Sequence, residues 1–95
     1  IQASDTLHEA WWTVHADIAK VRAAAARAGA ARAALVSARE RYEAGAGTQL
    51  DALQAVRDAA NADVESIQAT ANLAADRALL RIAAGESLRT GAAVK

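Results

Sequence analysis

The stretch RYEAGAGTQLDALQA, residues 41–55, decides how this chain folds. It holds two of the five glycines, Gly45 and Gly47, between two long alanine-rich runs. Glycine takes the positive φ angles of a tight reversal without steric cost. Thr48 followed three residues later by Asp51 has the spacing of a capping box, which opens a helix. The stretch therefore predicts a helix that stops, a turn over 45–48, and a second helix that starts at 49.

Outward from the turn, both flanks are built for helix. Thirty of the 95 residues are alanine and none is proline, and alanine has the highest intrinsic helix propensity. On the N-terminal side the apolar residues fall at Leu7, Trp11, Val14, Ile18, Val21, Ala25 and Ala28, in steps of four and three. That is the pattern of a coiled-coil seam. It breaks near Gly29 and resumes through Ala31, Leu35, Ala38 and Tyr42, which predicts a first helix over 4–44. Thr6 to Glu9, TLHE, reads as the capping box that opens it.

On the C-terminal side Leu50, Leu53, Val56, Ala60, Val64, Ile67, Ala71, Ala74 and Ala78 repeat at helical spacing, which predicts a second helix over 49–85. Gly85 after Arg81 has the form of a stop, and 86–95 reads as a flexible, frayed tail. Two helices of about 40 residues make a rod roughly 60 Å long. The fold class is all-α, a single long antiparallel two-helix coiled-coil hairpin.

Folding back at the turn brings Val14 near Leu79, Ile18 near Ala75 and Leu35 near Asp58. It also sets Arg22, Arg27 and Arg32 opposite the part of the second helix that carries Asp58, Asp63 and Glu65. Alanine at 23, 24, 26, 30, 33 and 34 wraps the middle of the first helix in small side chains. Such a surface lets neighbours approach on both flanks, and Gly29 fits the same close approach. An alanine-rich helix can equally stand solvated on propensity alone.

Other functions find little support in the sequence. Eleven basic and eleven acidic residues cancel, so the positive field that draws nucleic acid or an anionic membrane is missing. No uncharged run approaches the roughly 18 apolar residues of a membrane span. With no cysteine and no histidine beside an evident serine and acid, a nucleophilic site is not expected. His8 and His15 lie about 10 Å apart along one face, too far to share a metal. No cofactor is expected. Only one of Trp11 and Trp12 can enter the seam, leaving the other for a neighbouring helix or for Arg81.

The turn and its flanks resemble a known family. RYEAGAGTQLDALQAVRDAANADV is similar to the tip of the second periplasmic hairpin in the TolC-type outer membrane efflux and secretion channels. The match rests on Arg41, Tyr42, Gly45, Leu50, Asp51, Leu53 and Ala55, and extends more loosely from Leu7 to Gly85. The resemblance implies a piece of a larger protomer, three of which build a twelve-helix tunnel for type I secretion or multidrug efflux across the periplasm of a Gram-negative cell. A chain that opens at Ile1 rather than at methionine agrees with an excised or processed piece.

The resemblance also implies that the tip docks onto a periplasmic adaptor protein through Arg41, Tyr42, Gly45, Gly47, Thr48, Leu50 and Leu53. It implies that Asp51 and Gln54 stand at the pore entrance, and that Tyr42 helps hold the entrance closed. Two positions depart from the family's best-known member: Gly47 replaces an arginine of the closing network, and Gln54 replaces a second constriction acid. A less firmly shut and less negative entrance follows. Read without the family, Asp51 is a helix cap that complements the helix dipole, and Tyr42 is a packed seam residue.

The alternative function is a protein interaction module, either a stand-alone hairpin or the coiled-coil hairpin of the adaptor. Adaptor tips carry a serine past the glycine, near where Thr48 stands, but LDALQA follows the channel pattern. Without lateral partners, the hairpin is expected to self-associate through its alanine faces.

Overall fold

The computed structural model describes the backbone of residues 2–94 and the side chains of 5–86, 88 and 89. Two helices, α1 (Gln2–Glu43) and α2 (Gln49–Val94), run antiparallel and pack along their whole common length. The rod is 75 Å long and 14 by 13 Å across. The expected hairpin is therefore the observed one, although both helices exceed their predicted lengths.

The turn is a Schellman motif followed at once by a helix cap. Gly45 takes φ +77°. Its N–H donates to the carbonyl of Tyr42 at 3.1 Å, and the N–H of Ala46 donates to the carbonyl of Arg41 at 2.8 Å. These are the two bonds that satisfy the last carbonyls of a helix ending in a left-handed glycine. Gly47 N–H also donates to Arg41 O, at 3.0 Å. Thr48 Oγ1 then accepts from Asp51 N–H at 3.1 Å, which fixes the start of α2.

The glycines differ in what they allow. A Cβ on Gly45 meets nothing within 4 Å, so only the positive φ opposes a side chain there. Gly45→Ala is expected to destabilise the hairpin by about 1–2 kcal/mol through backbone strain. Thermal unfolding checks this; a midpoint equal to that of the parent would mean that the turn relaxes to negative φ. A Cβ on Gly47 would lie 3.2 Å from Arg41 Cβ, against the last turn of α1.

The helix ends elsewhere depart from the sequence reading. Thr6 lies inside α1 rather than at its cap. α2 continues through Gly85 to Val94, where the sequence predicts a stop and a flexible tail. A glycine in a helix interior costs only about 1 kcal/mol relative to alanine. With no proline beyond it and Ala83, Ala84, Ala92 and Ala93 around it, the stop signal is overridden.

The seam largely follows the predicted one on α1 and departs from it on α2. Along α1 it runs through Leu7, Ala10, Val14, Asp17, Val21, Ala24, Ala28, Ala31, Leu35 and Ala38, with Ile18 and Ser37 half-buried beside it. Along α2 it runs through Ala52, Ala55, Ala59, Ala62, Ser66, Ala69, Leu73, Asp76, Leu80 and Ala83, with Asp63 and Ala84 half-buried beside it. Each series alternates steps of three and four without a break, the heptad rule for a two-helix seam. Leu7, Val14, Val21, Ala28, Ala31, Leu35 and Ala38 belong to it as predicted, and Ile18 is half-buried at its edge; Trp11, Ala25 and Tyr42 are exposed instead.

On α2 every residue predicted for the seam is exposed. The reason is steric. Alanine against alanine brings two backbones closer than leucine does, so the small face wins the contact and the larger side chains are left outside. Among the described residues no large side chain is fully buried.

Two ion pairs fix the register from opposite edges of the seam. Arg32 meets Asp63 at 2.7 Å and Arg27 meets Glu65 at 3.5 Å. Both join the clusters that the sequence places opposite each other. Being exposed, each contributes only about 0–1 kcal/mol.

Candidate functional site

The predicted tip residues fall into three groups. Gly45, Gly47 and Thr48 build the turn through backbone and cap bonds. Arg41, Asp51 and Gln54 line one shallow open groove beside it, with Ala38, Ala55 and Asp58. Tyr42, Leu50 and Leu53 are exposed, Leu50 by 66%.

Arg41 is anchored within α1: its guanidinium donates to Ser37 Oγ at 3.2 Å. It faces Asp51 and Asp58 across the groove, one cation against two carboxylates. Tyr42 occupies the next seam position after Ala38 but is about half exposed, because α2 only begins at Gln49 and its first turn covers little of the ring. The tip is thus a mixed surface, with exposed apolar side chains at Tyr42 on α1 and at Leu50 and Leu53 on α2, and a charged groove between Arg41, Asp51 and Asp58.

A second feature runs the length of α2. Leu50, Leu53, Ala60, Val64, Ile67, Ala71, Ala74 and Ala78 are all exposed and follow their own three-four spacing, interrupted by Arg57. This stripe is offset by two residues from the seam, about 200° around the helix at 100° per residue, so it lies on the face away from α1. Ile67 is 68% exposed. One helix therefore carries two coiled-coil stripes on opposite faces, of which α1 covers one.

Near the open end of the hairpin neither tryptophan enters the seam, contrary to the expectation that one would. Trp11 lies on His15 with ring centroids 3.9 Å apart, and Trp12 stands edge-on to Trp11 at 5.1 Å. Trp12 Nε1–H donates to His8 Nε2 at 2.8 Å, which fixes that nitrogen as an acceptor. The four rings form a ladder along one face of α1. The alternation of histidine and tryptophan four residues apart was the available signal for it.

Asp17 and Asp76 are the residues that sequence reasoning passed over. Both occupy seam positions, and Asp17 is only 6% exposed. Their signal was positional: each falls on the three-four repeat of its alanine series, visible only once that series is taken as the seam. Among the described residues no group of three or more metal-ligating side chains is present, and no helix is long and apolar enough to cross a membrane.

Set against models of protein families, curated proteins and solved structures, the chain matches none of them.

Proposed function

We propose that this chain is a periplasmic α-hairpin of a trimeric outer membrane efflux or secretion channel, forming part of the export tunnel, its entrance and its adaptor-docking tip. The observation that carries this reading is the second stripe on α2. In a tube of helices each helix touches a neighbour on either side, and needs an apolar stripe on each of two opposed faces. A solitary hairpin needs one stripe per helix. The tip supports the same reading, since the residues of the family-like pattern meet at one end of the rod.

In this reading Tyr42, Leu50 and Leu53 supply apolar contact for the tips of a periplasmic adaptor, while Asp51 and Gln54 face the entrance. Arg41 shares the groove of Asp51 and Asp58 and offsets part of their charge, so cation preference at the entrance is moderate. Gly47 contributes no closing side chain. An arginine at that position would set its Cβ against Arg41, so this turn favours a more readily opened entrance.

The test is the size and location of the native product, probed on fractionated cells with an antibody against the hairpin. A trimeric outer membrane band several times heavier than 9.8 kDa is the expected result. A small soluble band would sink the channel reading and favour a stand-alone interaction hairpin. In the full channel, Asp51→Asn is expected to lower cation preference in single-channel recordings, and Tyr42→Phe to raise the open fraction. Unchanged conductance and selectivity in both would remove the assigned entrance roles.

A further inference from the structure

We propose that Asp17 and Asp76 hold one proton between them across the seam, so that this hairpin takes up a proton and tightens on acidification. The inference rests on their placement and does not depend on the channel reading. Both carboxyls occupy positions that, Ser66 apart, alanine, valine or leucine fill elsewhere along the seam. Asp17 is the buried charged residue among the described ones, and its Oδ2 is buried without a hydrogen-bond donor. The antiparallel register set by the Arg27–Glu65 and Arg32–Asp63 pairs brings Asp76 across from Asp17, and ionised carboxylates only accept. A hydrogen bond between the two therefore requires that one of them carry a proton, as in other paired carboxylates.

The surrounding charges do not supply the missing donor. On α1, Lys20 lines the groove next to Asp17 and attracts the Asp76 carboxylate, while Glu9 lines the adjoining groove beside Asp76. Arg27 and Glu65, further along the first groove, pair with each other. On α2, Arg77 follows Asp76 in sequence and is exposed.

The neighbouring Asp17 side chain, as the acceptor a protonated Asp76 would bond, holds the Asp76 carboxyl above the usual carboxylate range, reinforced by burial and by the Asp17 charge, with Lys20 acting in the opposite direction. The sign of the linkage follows. A raised folded value means that the native hairpin binds more protons than the unfolded chain between the ordinary aspartate value, about 3.9, and the raised one. Stability falls as pH rises through that window and grows as pH falls, opposite to the usual acid loss of a paired carboxylate. Above the window both groups are charged and repel across the seam.

The decisive measurement is a carboxyl-carbon NMR titration of the whole chain, with thermal melts at fixed concentration from about pH 7.5 to about pH 5. The expected result is one aspartate step above the ordinary range, and a melting midpoint that rises on acidification in the presence of chelator. Asp76→Asn, which keeps shape and adds a donor, is expected to raise the midpoint at neutral pH and remove the acid-induced rise; Asp17→Asn should return Asp76 to the ordinary range. Two ordinary aspartate titrations, or a parent melting profile as flat as that of Asp76→Asn, would overturn the proposal. So would full stabilisation by magnesium at neutral pH with both carboxyls ionised, which would make the pair a cation site.

Discussion

Replacing Val64 and Ile67 together by lysine is expected to leave the hairpin helical and to abolish its self-association. Both side chains project from the stripe of α2 that α1 does not cover. Burying each against a neighbour contributes about 1.5–3 kcal/mol, so losing both weakens association by more than about a hundredfold. Helix content should not fall, because lysine is a better helix former than valine or isoleucine. Sedimentation equilibrium beside circular dichroism separates the two effects. Association that survives the double substitution would move the interface elsewhere, with the exposed Trp11 and Trp12 ladder the next surface to test.

This expectation adds a second surface to the one the sequence suggests. The sequence reading assigns association to alanine faces, and of the alanines that wrap the middle of α1 the seam takes up Ala24, while Ala23, Ala26, Ala30, Ala33 and Ala34 stay exposed. What remains outside on α2 includes leucine, valine and isoleucine. Leu50, Leu53, Val64 and Ile67 are thus left uncovered by α1, and among the described residues no large side chain is fully buried. A core of that kind is marginal in a chain this short, and lateral partners would add the apolar burial it lacks.

The turn was legible because its signals are local. A left-handed glycine and a threonine cap act within a few residues and depend on no distant partner, so Gly45 and Thr48 do what their spacing predicts. The seam was legible along α1 but not along α2, where two stripes compete and a hydropathy reading favours the bulkier one. Leu50, Leu53, Val64 and Ile67 outweigh Ala52, Ala55, Ala62 and Ala69 on any apolar scale, whereas closeness of approach rewards the smaller set. The same weighting placed a tryptophan in a seam whose neighbours at Ala10, Ala24 and Ala28 are alanine. At the tip, the sequence identified the residues that meet there, but not that Arg41 bonds back to Ser37 while facing Asp51. That choice depends on side-chain rotamers along the groove, which spacing does not encode.

Ala24→Leu is expected to cost about 1–3 kcal/mol, the usual range for overpacking a filled site. Ala24 is the most deeply buried of the core residues, 2% exposed, and shares its groove with Ala69 of α2. A leucine there adds three carbons where the two backbones approach on alanine alone, so the helices must part or the side chain must leave its preferred rotamer. Against a total stability that is small for a chain of this size, the loss is enough to open the middle of the hairpin. The control is Ala26→Leu two residues away, on the exposed outer face, where a surface change should stay within about 0.5 kcal/mol. Thermal midpoints, with amide exchange across the middle of α1, report both. If Ala24→Leu were as stable as Ala26→Leu, the alanine series would not be the contact that holds the two helices, and the seam would have to be sought on the bulkier stripe.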